Sequence, residues 1–208
     1  KDFFMDWIRN KSVYLLTGSD YPKAVEQIGN DLLDRVNGCF TNAGNVLYVL
    51  GKEVYHHEWE APEPLLALLT NFLHDSPYPI RVGNHFEHRI GMLNFSIIGR
   101  NCTYDQRLDY FKYDSQMQER KQMCEQIKAH FPHIDASVGG QISIDIYPLG
   151  KNKGQIIEYI DEPIHFFGDK IEPGGNDFDI ASQLHHSPHK ITQVTNWQET
   201  MRILQNLE

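Results

Sequence analysis

The chain has 208 residues, 40% of them hydrophobic, and carries 19 Lys and Arg against 28 Asp and Glu for a net charge of −9. That is enough apolar material for one large domain or two small ones; no run approaches the roughly 20 apolar residues of a membrane span and no secretory leader opens the chain, so a soluble, cytoplasmic protein is expected. No dense basic tract exists to bind nucleic acid, whereas an anionic small molecule stays compatible because local concentration of cations matters more than total charge.

In chain order, Asp2 to Ile8 begins as the apolar face of a helix already under way. Val13 to Leu16 is a compact apolar strand. Thr17-Gly18-Ser19-Asp20 follows it, and a helix carrying Ala24, Val25 and Ile28 starts near Pro22, with Asp20 or Tyr21 at its N-cap. The Thr17 and Ser19 hydroxyls can serve a phosphate or simply cap the turn. Cys39, Cys102 and Cys124 are odd in number and never in a Cys-x-x-Cys pair, which indicates neither a disulfide framework nor zinc. Val46 to Leu50, Gly51 to Glu53 and Val54-Tyr55 read as a hairpin.

The pattern then changes. Pro62 to Asp75 is helical, with Leu65, Leu66, Leu69, Phe72 and Leu73 on one face; Met92 to Ile98, a helix over Gln116–His130 and the alternating Ile142, Ile144 and Ile146 follow. This is an α+β segment with antiparallel strands. After Gly150 the βα style returns: a helix near Gly154 to Tyr159, a strand from Ile164 through Phe167, a strand over Lys190 to Val194, and a last helix announced by Asn196 and Glu199 at capping-box spacing. The expected organisation is a core of residues 1–54 and 150–208 interrupted by an inserted domain of residues 55–149.

Four groups of residues can carry chemistry. Arg89, Arg100 and Arg107 lie along strand, turn and helix start; guanidinium forks match phosphate oxygens, at about 1.5–3 kcal/mol net per charge-assisted hydrogen bond, though arginines also decorate surfaces. Ser143 and Asp145, two apart in a strand, face the same way and suit sugar hydroxyls, unless they are an exposed polar face. Lys153 stands where the chain re-enters the core, placed to neutralise a phosphoryl group or merely to start a helix. The strand ending in Gly168-Asp169 delivers carboxylates to a sheet edge, where a hard metal ion held by oxygens is at home. His185, His186 and His189 fit a loop better than a zinc site.

The motifs Arg89-Ile90-Gly91-Met92-Leu93-Asn94, Ile98-Gly99-Arg100-Asn101-Cys102 running on to Arg107, Gly139-Gly140-Gln141-Ile142-Ser143-Ile144-Asp145, and Phe166-Phe167-Gly168-Asp169-Lys170 through Asp177 resemble those of the eukaryotic-type phosphomannomutases of the haloacid dehalogenase (HAD) superfamily. Similarity runs over nearly all of the chain. The resemblance implies an α/β Rossmannoid core with a parallel sheet and an inserted α+β cap with an antiparallel sheet. It implies that Arg89, Arg100 and Arg107 grip the phosphate remote from the reaction and that Ser143 and Asp145 contact substrate. Lys153 would stabilise the phosphoryl group, Thr17 and Ser19 would line the phosphate site, and Asp169, with Asn176 and Asp177 of the same loop, would bind Mg2+. The implied reaction interconverts mannose 6-phosphate and mannose 1-phosphate through an aspartyl phosphate and a sugar bisphosphate, supplying GDP-mannose synthesis, in a homodimer joined through the cap. A sugar phosphatase and a non-catalytic phosphosugar-binding protein are the alternatives.

The sequence departs from the family in three places. The Asp-x-Asp-Gly-Thr motif that holds the nucleophile is absent from residues 1–208, since the only Asp-x-Asp, Asp177-Phe178-Asp179, belongs to the metal loop. The family usually has an acid near Gln183 in a second cation loop, which puts a second cation in doubt here, and Ala43 occupies the place of an asparagine. The expectation is that the nucleophile lies in an N-terminal segment preceding Lys1, and that residues 1–208 are inactive alone.

Overall fold

The computed structural model describes residues 1–207, which divide into two compact units: residues 1–57 with 152–207, and residues 58–151. The first unit opens with α1 (Asp2–Trp7), β1 (Tyr14–Leu16), α2 (Tyr21–Ile28), α3 (Asn30–Leu33) and the strands β2 (Gly38–Thr41), β3 (Val46–Val49) and β4 (Lys52–His56). Asp20 caps α2 by accepting the Lys23 amide at 3.0 Å, and Pro22 occupies the first turn, where no amide donor is needed. The second unit holds α4 (Glu63–Asp75), β5 (Phe86–Arg89), β6 (Met92–Phe95), α5 (Tyr104–Met117), α6 (Glu119–His130), β7 (Ile134–Gly139) and β8 (Ser143–Pro148). The first unit then resumes with β9 (His165–Gly168), α7 (Phe178–Gln183), β10 (Lys190–Gln193) and α8 (Trp197–Leu204).

In the first unit β1 pairs in parallel with β2, and the hairpin of β3 and β4 extends that sheet in the order β1-β2-β3-β4. A separate two-stranded sheet pairs β9 in parallel with β10. Phe40, Leu47, Ile156, Ile180 and Leu184 are buried at one centre, against which Tyr14 and Leu16 of β1 and Ile164 and Phe166 beside and within β9 all pack. Side chains of both sheets thus share one core, while among the described residues the outer edges of β1 and β9 pair with no strand.

The second unit is one antiparallel sheet in the order β5-β6-β8-β7. Alternation along its strands sends Leu93, Phe95, Ala136, Ile144 and Ile146 to one face, against Leu65, Leu69 and Phe72 of α4, Tyr110 of α5, and Met123, Cys124 and Ile127 of α6. The opposite face carries Glu87, Asn94, Asp145 and Ser137, which lie in one row because their strands pair Glu87 with Asn94, Asn94 with Asp145 and Asp145 with Ser137. The buried thiols are pushed up by desolvation, Cys39 to about 11 and Cys124 to about 12.

Three local expectations are corrected. The helix expected over Gln116–His130 is two helices, α5 and α6, because Gln118 takes the left-handed conformation (φ 54°) and Asp114 folds the chain back by accepting both the Arg120 amide (2.9 Å) and Nε (2.8 Å). The helix near Gly154 to Tyr159 is a 3-10 helix over Lys153–Tyr159, opened by Asn152, whose side chain accepts the Gly154 amide at 2.9 Å. At α8, Asn196 accepts the Glu199 amide at 3.0 Å, but the Glu199 carboxylate returns to the Thr195 amide at 2.8 Å, one residue before the cap expected to receive it.

Candidate active site

In the first unit the expected side chains lie in the loops after β1 and β9, except Lys153, which opens the 3-10 helix Lys153–Tyr159. The loop after β1 is held by a Thr17 amide bond to the Phe40 carbonyl (2.9 Å), and the Thr17 carbonyl receives the Ala43 amide (3.0 Å). The Ser19 carbonyl receives the Asn42 amide (2.9 Å), and the Thr17 hydroxyl accepts the Ser19 amide (3.1 Å). The turn of Asn42, Ala43 and Gly44 that receives this loop has φ of 50°, 58° and 94°, and the Ala43 carbonyl accepts Gln155 Nε2 at 3.0 Å. Thr17 and Ser19 are thereby tied through one turn to the segment that carries Lys153.

Lys153 Nζ meets Asp177 Oδ1 at 2.6 Å, with the two side chains only 10% and 7% exposed. The other carboxylate oxygen accepts the Lys170 amide at 3.4 Å. Gly168 leaves room for it, since a Cβ there would stand 3.0 Å from Asp177 Oδ2. The loop from Asp169 to Asp177 folds back on itself, the Asp177 amide bonding the Lys170 carbonyl (3.1 Å) and the Gly175 amide the Glu172 carbonyl (2.8 Å). Asp169 is exposed, and among the described residues its carboxylate makes no hydrogen bond or ion pair. Asn176 Oδ1 is buried without a hydrogen-bond partner among the described residues. Of the three histidines, His189 has a structural role: its Nδ1 accepts the Ile164 amide at 3.1 Å.

In the second unit the polar sheet face gathers most of the expected residues. Glu87 Oε1 binds Arg89 through Nε (2.8 Å) and Nη2 (2.7 Å), Glu87 Oε2 binds Arg100 Nε (2.8 Å), and Arg100 Nη1 donates to Ser143 Oγ (3.1 Å). Asn94 Nδ2 donates to Asp145 Oδ1 at 2.6 Å. Burial opposes ionisation of Glu87, but the hydrogen bond and charge of Arg89, with Arg100 behind them, hold its carboxyl below the usual range. Ser143 and Asp145 are buried, 3% and 8% exposed, and not the open polar face weighed as their alternative. Arg107 lies within the first turns of α5 and is joined to this cluster by no hydrogen bond or ion pair among the described residues.

Glu87, Asn94 and Arg120 bond the candidate residues without having been singled out from the sequence. Glu87 had a signal: it is two residues from Arg89 in a strand, hence on the same face. Arg120 had none. It is 3% exposed, pairs with Asp114 at 2.8 Å, and Nη1 spans the carbonyls of Gly139 (3.1 Å), Gly140 (3.4 Å) and Ser143 (3.0 Å), so it shapes the turn that presents Ser143. Gly139 is needed there, because a Cβ would come within 2.5 Å of Asp145 Oδ2.

Parallel strand pairs, an acid-bearing loop after β9 met by the lysine that opens the 3-10 helix, and an inserted α+β unit with a polar sheet face make up a haloacid dehalogenase fold with a cap. Solved structures of that kind superpose on the whole chain: the sucrose-phosphatase of Synechocystis sp. PCC6803 (TM-score 0.57, 14% identity, 99% of this chain and 88% of that one) and a HAD subclass IIB sugar phosphatase (TM-score 0.56, 15% identity, 99% and 91%). Within that class the family model for eukaryotic phosphomannomutase matches residues 1–208. The phosphomannomutase of Saccharomyces cerevisiae is 33% identical over 213 aligned positions, covering 96% of this chain and 83% of the relative, and that of Drosophila melanogaster is 33% identical over 98% and 85%. The chain belongs to the eukaryotic phosphomannomutase family.

Proposed function

We propose that this chain serves a phosphomannomutase, exchanging mannose 6-phosphate and mannose 1-phosphate through an aspartyl phosphate and a sugar bisphosphate, in the cytoplasm and in support of GDP-mannose synthesis. The observation that carries the reading is the sheet face of the second unit, where Arg89 and Arg100 converge on Glu87 beside Ser143, Asn94 and Asp145. Guanidinium groups for a phosphate and a row of short polar side chains for hydroxyls suit a phosphorylated hexose. A mutase has to hold a phosphate at either end of the sugar, which gives the cap cations a purpose that a phosphatase with one phosphate site lacks.

The other phosphoryl group belongs to the first unit. Lys153, fixed by Asp177, supplies a cation where charge develops, and Thr17 and Ser19 supply hydroxyls and loop amides. The donors Asp169, Asn176 Oδ1 and Asp177 are all oxygens, and the buried Asn176 oxygen has no other partner among the described residues. That set fits Mg2+, which takes one or two carboxylates and completes its shell with phosphate oxygens and water. When bound there, the ion would offset negative charge on the transferring group. Asp177 would reach it through lone pairs that its two hydrogen bonds leave free.

Residues 1–208 contain no Asp-x-Asp-Gly-Thr, so this stretch by itself has no nucleophile, and that favours one second reading: a phosphosugar-binding protein without turnover. Phosphorus NMR of mannose 1-phosphate with Mg2+ and a trace of bisphosphate separates the two. Residues 1–208 alone are expected to bind without converting, whereas a protein that also carries the motif converts; a motif-bearing form that binds and never converts leaves the second reading standing. In the converting form Arg107→Ala is expected to lower mutase kcat/KM by about 100-fold, as befits loss of charge-assisted phosphate bonds, while hydrolysis of a small aryl phosphate changes little. Equal losses in both would rule out a remote phosphate role for Arg107.

The cap is also the proposed dimer surface. Tyr104, Leu108 and Phe111 recur at helical spacing on α5 and are 70%, 38% and 41% exposed, an apolar stripe that a second copy would cover. Sedimentation equilibrium should report a dimer, and Phe111→Glu a shift toward monomer; an unchanged mass would place the contact elsewhere.

A further inference from the structure

We propose that Glu87 is a positioning residue for the phosphate clamp of the second unit, an inference that rests on reading this sheet face as a phosphosugar site. Two guanidinium groups that converge repel each other, and Arg89 is nearly buried, its side chain 10% exposed. A buried cation needs a partner. Glu87 partners both at once, one carboxylate oxygen to each arginine, at 2.7 and 2.8 Å for Arg89 and 2.8 Å for Arg100.

The bridge also decides which way the arginines face. It engages Arg100 through Nε, and Ser143 Oγ takes Nη1, so Nη2 is left without a partner among the described residues on a side chain 31% exposed. A donor fixed on two sides and open on the third is poised for an anion's oxygen. The strand register brings the sugar-facing groups into line with this bridge, since Glu87 opposes Asn94 and Asn94 opposes Asp145. Glu87 therefore sets the distance between the phosphate donors and the hydroxyl-binding row without touching substrate.

A carboxylate beside a phosphate site can instead act as a rival anion, and the two roles predict opposite signs. As a positioner, Glu87 strengthens phosphate binding, and its removal weakens it. As a rival, its removal tightens it.

The test uses inorganic phosphate and mannose 1-phosphate as probes of the whole chain, followed through the arginine Nε–H resonances by NMR. Glu87→Gln, which keeps the shape and loses the charge, is expected to raise the Kd for both probes by roughly tenfold, the scale of one charge-assisted bond. Glu87→Asp, which keeps the charge, is expected to recover part of that loss. In a converting form the effect should fall on KM more than on kcat. Unchanged or tighter phosphate binding in Glu87→Gln overturns the proposal, as does the absence of rescue by Glu87→Asp when both variants melt like the parent. If the parent binds inorganic phosphate through these arginines but not mannose 1-phosphate, the phosphomannomutase reading fails while the role of Glu87 stands. If it binds neither, both fail.

Discussion

Arg120→Ala is expected to destabilise the cap unit by about 3–5 kcal/mol, the usual cost of leaving a buried charge without its partner. Among the described residues Asp114 would keep its charge with only the Arg120 amide to answer it, and the carbonyls of Gly139, Gly140 and Ser143 would lose a shared donor. The guanidinium also lies over the Tyr110 ring, 5.9 Å from its centroid, which a truncated side chain abandons. Arg120→Lys should recover less than half, because an ammonium cannot fork to a carboxylate and to carbonyls in one plane. Urea denaturation of the parent and the two variants reads the effect; a loss for the alanine variant of under about 1 kcal/mol would mean that the turn is held by the sheet alone. Because Arg120 holds the turn before Ser143, the lysine variant should also weaken phosphosugar binding while remaining folded.

The second large effect belongs to the pair Lys153 and Asp177. Asp177→Leu strands a lysine that is one-tenth exposed, and Lys153→Met strands a carboxylate whose remaining contact among the described residues is a 3.4 Å amide bond, so each single change should cost about 3–5 kcal/mol. The double variant, Lys153→Met with Asp177→Leu, should be more stable than either single one, since no unpaired charge is left in the core. Thermal unfolding of all four proteins gives the coupling directly. Strict additivity would show that the two charges do not depend on each other. In a converting form all three variants should lose turnover, whatever their stability, if Lys153 has the proposed role beside the transferring group.

Legibility from sequence followed the range of the interaction. The end of β9 could be read because an apolar run stopping at Gly168 and Asp169 is a local event, and α2 because Asp20 and Pro22 sit at its own start. The alternation of Ile142, Ile144 and Ile146 marked a strand and, by the period of two, put Ser143 and Asp145 on its other face. What alternation could not say is that Ser143 and Asp145 are buried on this face too, Ser143 against Arg100 and Asp145 beside Asn94, partners some 43 and 51 residues away in sequence. The break at Gln118 was missed for a similar reason. The helical pattern runs through it, and the cause is a carboxylate at Asp114 that captures Arg120.

By itself, then, the sequence determined the family, the alternation of core and inserted unit, and which side chains are candidates to handle phosphate, because glycine turns, strand period and charged motifs act over a few residues. Only the tertiary structure decided how those groups are held. Glu87 joins two arginines, Asp177 fixes Lys153, and Arg120 spans three carbonyls, and backbone carbonyls have no side chain by which a sequence could announce them.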